Sequence, residues 1–124
     1  MSNLLAEPMN VYRQNVVQVA SQAAIHLHNQ VGSIGTAVFD RHGTLLFNNN
    51  ALHYVNEGIV VRLIAECLSD PTTIWQRTVE NATIYAVALD RHHVFIIAGS
   101  HFERSAVERF LRSLRQLLPQ TADD

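Results

Sequence analysis

One strand-turn-strand unit occurs twice in this chain, with nearly the same turn each time. The first copy runs from Ile34 to Phe47 and turns at Asp40-Arg41-His42-Gly43. The second runs from Ile84 to Ile97 and turns at Asp90-Arg91-His92-His93. Each sets an apolar run, a polar corner and a second apolar run in order, which is the pattern of a β-hairpin. Asp is a strong turn opener because its carboxylate accepts hydrogen bonds from backbone N–H groups just ahead, and Gly43 tolerates positive φ. In the first copy, Gly35, Ala37 and Phe39 alternate with Ile34, Thr36 and Val38. Apolar groups therefore fall on both faces, as in a strand covered on both sides.

Amphipathic helices surround these hairpins. Tyr12, Val16, Val19, Ala23 and Leu27 recur at three- and four-residue steps and predict a helix over about 9–28, with Gly32 as its stop. Leu52, Val55, Ile59, Leu63 and Cys67 form one stripe of a second helix, predicted over 52–68. Val60, Val61, Ile64 and Leu68 form a second stripe beside it. Gly58 within it is a helix-weakening residue that marks either a close contact or a frayed first turn. Asp70-Pro71 ends this helix. Residues 72–79 then alternate polar and apolar, as a peripheral strand does, and Glu80-Asn81-Ala82 turns into the second hairpin. Ser100 and Glu103 have capping-box spacing ahead of a last helix that carries Val107, Phe110, Leu111, Leu114, Leu117 and Leu118 on one side. The expected fold is α+β, a five-stranded antiparallel sheet between helices in the order α-β-β-α-β-β-β-α. The 124 residues make one domain with an ordered core over about 9–118.

No site of chemistry accompanies this architecture. The net charge of −2 argues against a dedicated nucleic-acid binder. All nine basic residues are Arg, so a phosphate-loop lysine and a Schiff-base lysine are excluded. Cys67 is the one cysteine and sits in an apolar helical pattern, which reads as a core residue in a reducing compartment. The N-terminal stretch lacks the basic start and apolar run of a signal peptide, and no stretch is long enough to span a membrane. These readings predict a cytoplasmic location. Asn81-Ala82-Thr83 matches a glycosylation acceptor but reads better as a hairpin turn.

The seven histidines are the main candidates for chemistry. His26 and His28 stand at i,i+2, a spacing that points helical side chains apart, whereas metal pairs on helices prefer i,i+3 or i,i+4. His42, His92 and His93 fall at strand corners, and His53 and His101 at helix starts. Solvated turn histidines are the simpler reading, so no metal and no cofactor are expected. Acid–base catalysis by Asp40 and Asp90 requires the two to converge, and each already has a turn role. Gly32-Ser33-Ile34-Gly35 precedes a strand, whereas a phosphate loop opens a helix.

The order of elements resembles the Roadblock / dynein-light-chain family over about residues 11–118. The local matches are Gly32-x-x-Gly35-x-x-Val38-x-Asp40-x-x-Gly43 at the first hairpin and the run from Val94 to Ser100 leading into an Arg-rich amphipathic helix. The resemblance implies a Roadblock/profilin-like sheet, no enzymatic activity, and a homodimer formed through the middle helix and the strand after it. The implied interface holds Val60, Val61, Ile64 and Leu68 with Ile74, Gln76 and Thr78, so that Ile64→Asp is expected to split the dimer. Family dimers serve as platforms or regulators for small Ras-like GTPases, or as scaffolds in signalling and motility complexes. The middle helix agrees, because its apolar arc is wider than one sheet face needs. Either a loop or helix of the same chain covers the surplus, or a second subunit does. The competing class is a PAS- or GAF-like small-molecule sensor, with Phe39, Phe47, Trp75 and Tyr85 lining a pocket between sheet and helices.

Overall fold

The structure, a computed structural model, describes residues 7–31, 34–80 and 82–117, with side chains over 16–31, 34–80 and 82–116. The expected stop at Gly32, the turn at Asn81, the side chain of Tyr12 and residues beyond 117 lie outside that description.

The chain runs α1 (Glu7–Val31), β1 (Ile34–Asp40), β2 (Leu45–Asn49), a 3-10 turn (Ala51–His53), α2 (Glu57–Ser69), β3 (Trp75–Val79), β4 (Ala82–Ala88), β5 (His93–Gly99) and α3 (Arg104–Leu117). This is the predicted α-β-β-α-β-β-β-α order. The five strands form one antiparallel sheet in the order β2-β1-β5-β4-β3. The hairpins thus meet at its centre, where β1 pairs with β5 along its whole length, from Ile34 opposite Gly99 to Asp40 opposite His93.

Alternation along the strands divides the core in two. Ile34, Val38, Tyr85, Val87, Phe95 and Ile97 face α1 and α3, and pack with Val16, Ala20, Ala24, Leu27, Val107, Leu111 and Leu114. Ala37, Phe39, Ile84, Ala86, Val94, Ile96 and Ala98 face the other way, and pack with Val60, Leu63, Ile64 and Cys67 of α2. Central strands buried on both faces read as continuous apolar runs, which is why β1, β4 and β5 look alike in sequence. On α1 the buried stripe is Val16, Ala20, Ala24 and Leu27, slightly rotated from the predicted one. Val19 and Ala23 sit at its margin, half-buried.

Several boundaries differ from expectation. The second helix starts at Glu57, not at Leu52, because Asn56 caps it: its side chain accepts a hydrogen bond from the Ile59 N–H at 3.0 Å. Residues 51–53 make a separate 3-10 turn, closed by Asn48 Oδ1 accepting from the Ala51 N–H at 3.0 Å. Gly58 falls in the first turn of α2. Strand β3 begins at Trp75, since the Thr72 and Thr73 hydroxyls are held by the Asp70 carboxylate at 3.0 and 2.6 Å. The capping box at Ser100 is not used: α3 starts at Arg104, and the Ser105 hydroxyl donates to Glu103.

The 3-10 turn crosses directly over β1. A Cβ on Gly35 would lie 2.4 Å from the Asn50 carbonyl oxygen and 2.6 Å from the Ala51 backbone, so only glycine fits there. On the opposite face, the buried Thr36 hydroxyl lies 3.1 Å from Nε2 of His28, which ties β1 to α1.

Candidate functional site

The seven residues expected at an interface divide three ways. Val60 and Ile64 are each 4 % exposed and belong to the core between α2 and the sheet. The apolar arc is therefore split, and these two side chains pack against the chain's own sheet. For the same reason Ile64→Asp tests the fold of the chain and not an association. Val61 is 56 % exposed and Leu68 is half-buried. With the exposed Ala65 between them they are spaced by four and three residues, so they share one outward stripe. Ile74 packs half-buried against the α1/α3 side just before β3. Gln76 and Thr78 are exposed on that strand.

Among the described residues strand β3 pairs only with β4, in unbroken register from Trp75 opposite Ala86 to Val79 opposite Ala82, and its other edge is open. Strand β2 is the second open edge, but its register with β1 shifts between Val38 and Phe39. Bulges of this kind discourage edge pairing, whereas a regular edge invites it. Helix α2 is tied to β3 by a Glu66–Arg77 ion pair, and the Arg77 guanidinium lies over the Trp75 ring at 5.4 Å from its centroid. Trp75 Nε1 is buried with no hydrogen-bond partner among the described residues.

The two Asp-Arg-His corners sit side by side, because β1 ends where β5 begins. Both are Asx turns. Asp40 Oδ1 accepts from the His42 and Thr44 N–H groups at 2.8 and 2.9 Å, and Asp90 Oδ1 accepts from the His92 N–H at 2.7 Å. Burial acts to raise the Asp40 carboxyl, but the backbone donors of Thr44 and His42 hold it below the usual range. Asp90 is also paired with His93, whose Nδ1 lies 2.9 and 3.1 Å from its two oxygens. The sequence showed each corner but not that they converge, which depends on the β1–β5 pairing between distant segments.

The remaining candidates are inert or dispersed. Cys67 is fully buried, and burial first, with the neighbouring Glu66 charge second, pushes its thiol up to about 12. Among the described residues no three His, Cys, Asp or Glu side chains are grouped to hold a metal ion. The four aromatics proposed for a sensor pocket do not share one. Phe39 and Trp75 pack on the α2 side of the sheet, whereas Tyr85 and Phe47 pack on the other. Among the described residues no helix is long and apolar enough to cross a membrane.

No protein-family model and no curated protein sequence matches this chain. Solved structures do match its fold. The gliding protein MglB of Thermus thermophilus superposes with a TM-score of 0.64 at 11% identity, over 87% of this chain and 91% of that one. An MglB described with a tetrameric arrangement gives the same score, 0.64, at 11% identity over 87% and 90%. MglC of Myxococcus xanthus gives 0.55 at 14% identity, over 83% and 92%. MglB and MglC are Roadblock proteins. With identities this low the likeness is one of architecture, and it agrees with the element order and sheet described above: this chain adopts the Roadblock fold.

Proposed function

We propose that this chain is a non-enzymatic interaction module that forms a homodimer and, as a dimer, binds a small Ras-like GTPase in the cytoplasm as its regulator or scaffold. The observation that carries the reading is the open and regular edge of β3, on a chain whose middle helix also leaves Val61 and Ala65 exposed. A second copy laid antiparallel along β3 would extend the sheet and cover those side chains. Val61 and Leu68 then supply the apolar contact, Gln76 and Thr78 flank the paired edge, and Ile74 stands at its start. An unpaired strand edge and exposed apolar groups are each unfavourable when left open, and a symmetric pairing that covers both removes both costs.

The GTPase part of the reading rests on the fold. Its neighbours include a gliding protein, which supports a motility or signalling setting. The test is direct binding. The purified chain is immobilised and exposed to small Ras-like GTPases from its own genome, each loaded with GDP or a non-hydrolysable GTP analogue. Binding that depends on the loaded nucleotide, and is lost in Val61→Asp, is expected. Absence of binding to every such GTPase in either state would overturn the GTPase assignment while leaving the dimer to be judged separately.

A further inference from the structure

The two corners form one wall of a cleft of about 630 Å³ that the Roadblock reading does not use. Its size falls within the range of small-molecule sites, roughly 300–1,000 Å³. Two departures from regular structure furnish it, and a hairpin needs neither.

The first is a bulge in β2. Phe47 lies opposite Val38 and Leu45 opposite Phe39, so Leu46 between them has no partner on β1. Phe47 packs on the α1/α3 side of the sheet. Regular alternation would turn Leu46 to the α2 side. The bulge turns it back, and Leu46 lines the cleft with Val17 and Gln18 of α1. It is 40 % exposed there, as an open apolar wall.

The second is His93. Both corners make the same Asx turn, with the N–H two residues on held at 2.8 Å in the first and 2.7 Å in the second. The first completes its turn with Gly43, at φ 89°. The second has His93 at the equivalent position, and this residue is 3 % exposed. The turn therefore does not require the imidazole. Asp90 accepts from the Nδ1–H of the neutral ring, with its two oxygens 2.9 and 3.1 Å from Nδ1. Nε2 is then the nitrogen with the lone pair, held in one orientation. It makes no hydrogen bond among the described residues. It is not sealed in the core either, since Trp75 Nε1 is the one buried side-chain nitrogen there without a partner, and the His93 ring lines the cleft.

The other polar groups of the cleft are engaged or lie in water. His42 Nε2 accepts from Arg41 Nε at 3.4 Å, and both residues are exposed, as is Gln18. Asp40 Oδ1 accepts from two backbone N–H groups. The His92 ring stands edge-on to that of His93. Arg41 and Asp40, the guanidinium and the carboxylate that line the cleft, offset each other, so no ionic ligand is favoured. At an exposed group a ligand merely replaces water. A buried acceptor left with nothing to accept is costly, and it selects for a donor. His93 Nε2 is thus the group that discriminates, and it calls for an N–H or O–H. Val17 and Leu46 call for an apolar body. We propose that the cleft binds a small neutral molecule of the indole or phenol kind, with its N–H or O–H on His93 Nε2 and its apolar body against Val17 and Leu46.

The test is NMR on the full chain, titrated separately with indole and with benzofuran, which has the same shape but a ring oxygen in place of the N–H. Indole should shift the amides of Val17, Leu46, His92 and His93 saturably, with a dissociation constant at or below about 1 mM. It should also move the nitrogen resonance of His93 Nε2. Benzofuran should bind roughly tenfold more weakly or worse, as loss of a hydrogen bond to a buried acceptor requires. Leu46 is partly exposed, so Leu46→Asn should keep the spectrum of a folded chain and weaken indole severalfold. Three results would overturn the proposal: no saturable shift at the cleft, benzofuran binding as tightly as indole, or unchanged indole affinity in Leu46→Asn.

Discussion

Replacing Gly35 by alanine changes one methyl group and tests how the two halves of the α2-side core are joined. Gly35 lies in β1, and among the described glycines only Gly43 has a positive φ. Its backbone thus suits any residue. On chain entropy alone Gly35→Ala should stabilise the protein by roughly 0.4–1 kcal/mol. The contacts predict the opposite. The new Cβ would meet the Asn50 oxygen at 2.4 Å and Ala51 Cα and N at 2.6 Å. Restoring ordinary contact requires the 3-10 turn to move away from the sheet by about 1 Å. Those neighbours are backbone atoms, so no side chain can swing aside. The shift strains the hydrogen bond from the Ala51 N–H to Asn48 and lifts the fully buried Ala51 from the core. Overpacking costs about 1–3 kcal/mol and a weakened hydrogen bond about 1 kcal/mol more. After the entropic gain, the net loss is about 1–3 kcal/mol. In a domain of this size each kcal/mol lowers the melting temperature by roughly 4 °C. Thermal and urea unfolding of wild type and Gly35→Ala measure it. Gly58→Ala is the contrast, since the nearest atom to a Cβ there is Asn56 Oδ1 at 3.4 Å, and it should be neutral or stabilising. A Gly35→Ala protein as stable as wild type would refute the close crossing of the turn over β1.

Other predictions address single groups. Burial lowers the pKa of His28, so the unfolded chain takes up a proton before the folded one does. The protein should lose stability as pH falls through about 6.5 towards the lower folded value, and His28→Gln should flatten that part of the stability–pH curve. Asn56→Ala removes the cap of α2 and should cost about 1 kcal/mol by urea unfolding. Cys67, buried with its thiol raised to about 12, should resist a thiol reagent in the native protein and react at once in denaturant. A native-state reaction as fast as the denatured one would show that α2 does not cover it.

Local signals carried most of the fold. The hairpins were readable because each Asp sits where a turn needs a short acceptor, and because central strands are apolar throughout. The start of α2 was misread because Leu52 and Val55 happen to continue its stripe, although Asn56 followed by Glu57 is itself a helix-start signal. The functional surfaces were harder. An apolar arc does not say which part faces the chain's own sheet, so Val60, Val61 and Ile64 looked equivalent until the packing separated them. The cleft at the corners depends on β1 lying against β5, a pairing that no local pattern encodes.

Self-association is the central claim, and the solution mass tests it most directly. Light scattering coupled to size exclusion, over a concentration series, should give a mass near twice 13.9 kDa for the wild type. Val61 is exposed in the isolated chain, so Val61→Asp should leave each subunit folded yet place an unpaired charge in the contact, and the mass should fall to that of one chain. A wild type that stays monomeric at every concentration, or a Val61→Asp variant that stays dimeric, would contradict the account.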